Sequence, residues 1–251
     1  MNRRPNSARA VASAQQKDMQ AIAKLTDLGN RHFEGRRYAE ALEQFRQALA
    51  LILVKPDASK RTAVCHYNMA RALASLDQTD AAIEQYQRAI AIAPRLCEAH
   101  AALGMILIQR ERFDEAIDHF RKALAANPLF SAAHFGLGVA LQGIGEHTTA
   151  AFCYQKALAL NPNHYGGWVN LGLICYSIGN AEVAINCYKE AISVSSDSPD
   201  VFHYIGLAYM AVGRFRDAMA SFSRALELDP GYAAAQDALQ EAMYFGLAQP
   251  A

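Results

Sequence analysis

Residues 97–130 read CEAHAALGMILIQRERFDEAIDHFRKALAANPLF, and residues 131–164, directly after them, read SAAHFGLGVALQGIGEHTTAAFCYQKALALNPNH. Superimposed, the two 34-residue stretches agree at every position that matters to a helical hairpin: His100 with His134 (position 4), Gly104 with Gly138 (8), Ala116 with Ala150 (20), Phe120 with Tyr154 (24), Ala123 with Ala157 (27) and Pro128 with Pro162 (32). The same period continues outward on both sides. Residues 63–96, 165–198 and 199–232 keep Ala82, Ala184 and Ala218 at position 20 and Tyr86, Tyr188 and Phe222 at position 24. Position 27 holds Ala89, Ala191 and Ala225; position 8 holds Ala70, Gly172 and Gly206. Pro94 and Pro230 fill position 32, where Ser196 replaces proline in one repeat. Residues 22–55 fit through Leu28, Gly29, Ala41, Phe45 and Ala48, followed by a seven-residue insertion, 56–62. A fixed internal period of this length is the signature of a repeat architecture.

Positions 4, 7, 8 and 11, and again 20, 24 and 27, recur at helical spacing, so each repeat carries two amphipathic helices. Gly or Ala at 8 and Ala at 20 allow the two backbones to approach closely, and the aromatic at 24 is expected to fill the gap to the next hairpin. Asn127-Pro128, Asn161-Pro162 and Asp229-Pro230 end second helices, because the residue before proline is pushed out of the α region. Gly145, Gly179 and Gly213 at position 15 supply the turn between the helices. Ser198-Pro199-Asp200 reads as a cap, a proline at the first helical position and an acid in the first turn.

These columns resemble the tetratricopeptide repeat (TPR) family over residues 22–232. The resemblance implies an all-α, right-handed superhelical solenoid of about six repeats, 22–62, 63–96, 97–130, 131–164, 165–198 and 199–232. Residues 233–251 resemble the capping helix and tail of such arrays, with Ala234, Ala238, Leu239 and Tyr244 as its expected contacts. Residues 1–21 read as a basic, disordered leader whose end joins the first helix. The family's usual Trp at position 4 occurs once, as Trp168; His66, His100 and His134 take the column as flat spacers between helices.

Lys+Arg and Asp+Glu both number 24, so no global basic field points to nucleic acid. The balance is uneven: residues 1–62 carry 12 basic and 6 acidic side chains, and residues 63–251 carry 12 and 18. That describes either a solvated basic tail or a dipolar particle that attracts acidic partners or stacks on itself as a homo-oligomer. Five cysteines, without C-x-x-C pairing, fit reduced thiols in a cytoplasmic protein. The basic N-terminus leaves organelle targeting as the alternative. No apolar run is long enough to insert in a membrane.

A solenoid leaves the first helix of each repeat along one concave surface. In the TPR family that surface recognises peptides or protein segments, through positions 2, 5, 6, 9, 12 and 13. Here those positions offer Asn30, Tyr67, Asn68, Arg71, Met105, Phe135, Val139, Val169, Asn170, Leu173, Tyr176, His203, Tyr204 and Met210. They form an apolar, aromatic strip of the kind that marks an interaction site, unless tight curling of the repeats buries some of them as core. Two binding schemes of the family can be compared residue by residue. The carboxylate clamp would place cations where Thr26, Glu98 and Ala102 stand, although Asn30 and Asn68 match; without charge-assisted bonds it does not assemble. The asparagine ladder would be represented by Asn68 and Asn170 alone, either as two backbone-binding anchors or as isolated polar residues.

Histidines at equal positions of successive repeats lie too far apart to share a zinc ion, so no metal and no other cofactor is expected. No phosphate-binding loop, nucleophile elbow, dinucleotide fingerprint or H-E-x-x-H occurs, and the chain is not expected to be an enzyme. The function implied is a scaffold or adaptor, chaperone-like, binding a peptide or helix of a partner protein. The alternatives are an accessory subunit of a glycosyltransferase or secretion complex, and a self-assembling scaffold.

Overall fold

A computed structural model describes the backbone of residues 5–53 and 59–248 and the side chains of 16–52 and 60–247. It is all-α: thirteen helices among the described residues, paired as the period demands. They are α1 Pro5–Glu34, α2 Tyr38–Leu53, α3 Ser59–Ser75, α4 Thr79–Ile92, α5 Cys97–Gln109, α6 Phe113–Ala126, α7 Ser131–Gly143, α8 His147–Leu160, α9 Tyr165–Ser177, α10 Ala181–Val194, α11 Pro199–Ala211, α12 Phe215–Leu228 and α13 Ala233–Ala248. The chain is a helical repeat solenoid that divides into two compact units, residues 1–128 with repeats one to three and residues 129–251 with repeats four to six and α13.

Two expected boundaries move. Residues 5–21 are helical and continue into the first helix of repeat one, so α1 runs for 30 residues where a leader was expected. Ala, Gln and Lys in this stretch are good helix formers, and a helix already nucleated by packing propagates cheaply through them. Residues 54–58 of the link before repeat two lie outside the described residues, but Ser59 to Thr62 open α3, and Thr62 is buried.

Within each hairpin the core is built on two columns. The alanines at position 20 (Ala41, Ala82, Ala116, Ala150, Ala184, Ala218) are all completely buried. The aromatic at position 24 sets the edge of its ring on the small residue at position 8 of its own hairpin, and it also meets the next one: the Tyr154 hydroxyl accepts from Asn170 Nδ2 at 3.2 Å and the Tyr188 ring stands 6.0 Å from that of Tyr204. A Cβ added to Gly104 would stand 2.8 Å from the Phe120 ring, one on Gly138 2.7 Å from Tyr154, one on Gly172 2.5 Å from Tyr188 and one on Gly206 2.4 Å from Phe222. Glycine therefore sets the interhelical distance, and the ring fills the space it vacates.

The residues before the prolines leave the helical region as expected: Asn127 sits at φ −140°, ψ 95° and Asn161 at φ −141°, ψ 88°. Ser198 makes no side-chain capping bond. α11 starts instead on the preset φ of Pro199, and Asp200 accepts a 2.8 Å bond from the Tyr232 hydroxyl. The packed face of α13 is Ala235, Ala238 and Ala242, with Ala234 exposed, Leu239 half-buried and Tyr244 72% exposed. The expected contact set was rotated about the helix, and only Ala238 belongs to it.

The turn at position 15 adopts left-handed backbone in every repeat. Gly145, Gly179 and Gly213 have φ of 84°, 82° and 74°, while Arg36, Asp77 and Glu111 hold φ of 58°, 58° and 56° without glycine's freedom. A Cβ at Gly145, Gly179 or Gly213 would meet nothing within 4 Å, so substitution there isolates the backbone term. Gly179→Ala is expected to destabilise by about 1 kcal/mol, and Glu111→Gly to stabilise by roughly 0.5–1 kcal/mol once the looser unfolded chain is deducted. Urea unfolding of both variants measures this; a neutral Gly179→Ala would refute it.

Candidate functional site

One hydrogen bond recurs at the start of first helices and of α13. Trp168 Nε1 donates to the Pro162 carbonyl at 2.8 Å, His100 Nε2 lies 3.1 Å from the Pro94 carbonyl, and Gln236 Nε2 donates to the Pro230 carbonyl at 3.0 Å. Each donor is at position 4 and each acceptor is the proline six residues before it. Position 4 thus latches a first helix to the turn that delivers it, which explains why an indole, an imidazole and a carboxamide share the column. What these three share is a donor N–H six residues after a proline; where no proline stands there, as before Leu25 and Phe202, the column needs no donor. His66, with no proline six residues upstream, turns its Nδ1 to Gln85 Oε1 at 2.7 Å.

His100 also meets a second imidazole, with Nδ1 2.9 Å from His119 Nδ1. Because His100 Nε2 faces a carbonyl and must carry the proton, its Nδ1 accepts and His119 Nδ1 donates. Burial, then the neighbouring His100 and Lys122, hold His119 down to about 4, and burial likewise lowers His100. Between the unfolded value near 6.5 and about 4, the unfolded chain binds a proton that the folded chain refuses, so stability falls as pH drops through that window. The urea midpoint should decline from neutral pH toward pH 4, and His119→Gln should decline less steeply; parallel curves would remove His119 as a cause. Among the described residues no group of three or more His, Cys, Asp or Glu side chains comes together.

In the first unit the expected groove residues separate by burial. Asn30 is half-buried and lines a cleft of about 720 Å³ between α1 and α3, with Thr26, Asp27, Ile22, Ile52 and Val64. Arg71 lies over the Phe33 ring at 4.2 Å and beside Tyr67 at 5.7 Å, a cation–π arrangement. Tyr67 is half-buried, its ring 5.9 Å from that of Tyr86, and burial raises its pKa against the opposing influence of Arg71. Met105 is 39% exposed. Asn68 is only 6% exposed and is not a surface anchor.

In the second unit Phe135, Val139, Val169, Asn170, Leu173, Tyr204 and Met210 are half-buried, and Tyr176 is 37% exposed. Phe135 is wedged between Tyr154, at 5.7 Å, and His164, at 4.2 Å. Asn170 Nδ2 donates to the Tyr154 hydroxyl at 3.2 Å, and that hydroxyl donates to Gln142 Oε1 at 2.7 Å. The amide is therefore engaged inside the protein. His203 is 9% exposed, ringed by Phe222, Tyr232 and Tyr204 at 5.2–6.0 Å. A ladder of free asparagines does not exist here: one of its two members is buried and the other is bonded to a tyrosine.

What remains open is a cleft of about 440 Å³ where Tyr176, Leu207 and Met210 meet Ala211, Phe215, Ala238, Glu241 and Phe245. α9, α11 and α13 converge there. Phe215 and Phe245 complete this site and were not expected in it. Phe215 stands at position 17, outside the first-helix columns, and stacks on Phe245 at 5.8 Å; only the docking of α13 brings the two together.

The sequence matches the family model described as the cilia and flagella-associated protein 70 C-terminal domain over residues 6–248. No curated protein matches the chain. Among solved structures, Pseudomonas aeruginosa pilF is similar at 19% identity and TM-score 0.78, covering 90% of this chain and 99% of that one. A crystal structure of MamA is similar at 27% identity and TM-score 0.60, covering 66% and 96%. YrrB, described as a TPR protein with an unusual peptide-binding site, is similar at 22% identity and TM-score 0.62, covering 71% and 92%.

Proposed function

Because this chain belongs to the tetratricopeptide repeat family, in the branch of the cilia and flagella-associated protein 70 C-terminal domain, we propose that it is a scaffold that holds an apolar segment of a partner protein, extended or helical, in the cleft of its second unit. The fold is that of a protein-interaction module. The observation that carries the finer reading is the Tyr176–Leu207–Met210–Phe215–Phe245 cleft, apolar and open, with a single acid, Glu241, among its lining residues. Exposed aromatic and aliphatic side chains at a concave junction are the composition of binding hot spots. With so little charge at the site, affinity should change little with salt. The description of YrrB as peptide-binding agrees with this reading, although at that identity the likeness extends to the fold alone. A reducing, cytoplasmic setting belongs to the same proposal, since none of the five cysteines is joined in a disulfide and four of them are buried.

The test is selection from a random peptide display library on the immobilised full chain. Selected peptides should be rich in aromatic and aliphatic residues and lose binding to Leu207→Asp. Peptides that bind that variant equally well would place recognition elsewhere.

A further inference from the structure

We infer that copies of this chain associate head to tail, the last two turns of α13 of one copy entering the cleft between α1 and α3 of the next. This does not rest on the reading above, which concerns a different cleft.

The receiving surface has an apolar floor and a cationic rim. Met19 and Val64 are both 38% exposed, and Ile22 and Ile52 close the base. Lys60 and Arg61 stand exposed at the edge. The acid among the lining residues, Asp27, is paired with Arg31 at 2.7 Å, which leaves the rim net positive. At about 720 Å³ the cleft is of the size that encloses a few side chains, not a whole helix.

The inserting surface has the opposite character. α13 is fixed by Ala235, Ala238 and Ala242 and by the Phe215–Phe245 stack. Its exposed side carries Asp237, Glu241, Tyr244 and Leu247 in a stripe at helical spacing, with Glu241 where the stripe borders the second unit's cleft. Tyr244 is 72% exposed, Leu247 86% and the adjacent Met243 49%. Residues 231–251 contain these two acids and no Lys or Arg, and the carbonyl end of the helix adds negative potential. Seated in the cleft, Tyr244 and Leu247 would cover the apolar floor while Glu241 and Asp237 met Lys60 and Arg61.

The long-range field has the same sense. The first unit carries 19 basic and 14 acidic residues and the second 5 and 10, so the first unit of one copy attracts the second unit of another, and like units repel. Because the two surfaces are different, the contact is heterologous and each added copy presents a fresh cleft and a fresh helix.

Sedimentation velocity of the full chain over a concentration series tests this. The average mass should rise past that of a dimer with concentration and fall at high salt. Val64→Asp, which spoils the cleft, and Tyr244→Asp with Leu247→Asp, which spoils the helix, should each be monomeric with an unchanged helical spectrum. Mixed one to one they should form a heterodimer and stop there, since the mixture holds one intact cleft facing one intact helix. Lys60→Glu with Arg61→Glu should weaken association tenfold or more, and Asp237→Lys with Glu241→Lys on the other copy should restore it. A wild-type chain that stays monomeric throughout, or a mixture that forms no heterodimer, would overturn the inference. So would either spoiled variant still assembling alone, because the contact would then be isologous or elsewhere.

Discussion

Phe120→Ala should destabilise the first unit by about 3–5 kcal/mol. The Phe120 ring is wholly buried, and its edge atoms occupy the space that Gly104 leaves by lacking a Cβ. Truncation empties that space from one side while the glycine cannot refill it from the other, and α5 and α6 are held apart by Ala116 and Ala123, both fully buried. For a chain of this length a loss of that size lowers the melting temperature by roughly 6–20 °C. In a repeat protein the loss need not spread evenly, because each hairpin is stabilised by its neighbours. Thermal unfolding followed by far-ultraviolet circular dichroism should therefore broaden or split as well as shift. The double variant Gly104→Leu with Phe120→Ala should recover part of the loss by returning apolar volume to the same space. No recovery would mean that position 8 and position 24 do not share it.

This pairing also marks how far the sequence could be read. The columns at 8, 20, 24 and 27 identified the residues of the core because buried positions must recur with the helical period. They did not identify partners. Spacing states that Phe120 and Gly104 face inward, not which inward-facing residue each meets, so the contact of the ring with position 8 of its own hairpin was not visible in it. The capping helix shows the same limit: its period was visible, but its rotation depended on how it docks on α12, and Tyr244 went to the outside. Asn68, Asn170 and His203 stand at positions that face the groove in the family, yet the local approach of neighbouring hairpins buries or bonds all three. Turn geometry was legible where glycine announced it, at Gly145, Gly179 and Gly213. At Arg36, Asp77 and Glu111 the same left-handed backbone is imposed by the hairpin on residues whose identity gives no sign of it. The position-4 latch was hidden by chemistry, since Trp, His and Gln look unrelated until the shared carbonyl is seen.

The same separation of core from groove sets the second large effect. Phe135→Ala should cost about 2–3 kcal/mol of stability, less than a fully buried phenylalanine because the ring is half-buried, but well above a surface substitution. Its ring is packed between Tyr154 and His164, and removing it uncovers Tyr154, whose hydroxyl ties Asn170 to Gln142. Tyr176→Ala should behave in the opposite way. Its side chain is more than a third exposed at the mouth of the second unit's cleft, so stability should fall by less than about 1 kcal/mol, while affinity for a selected apolar peptide should fall by about 1–3 kcal/mol. Both residues are aromatic and both lie on first helices of the second unit, so hydrophobicity alone predicts no difference between them. The two measurements, a urea titration and a fluorescence-anisotropy binding curve on each variant, should cross: Phe135→Ala unfolding early, Tyr176→Ala binding weakly. If Tyr176→Ala unfolds early and binds normally, the cleft is a gap in the core and the partner surface lies on another face of the repeats.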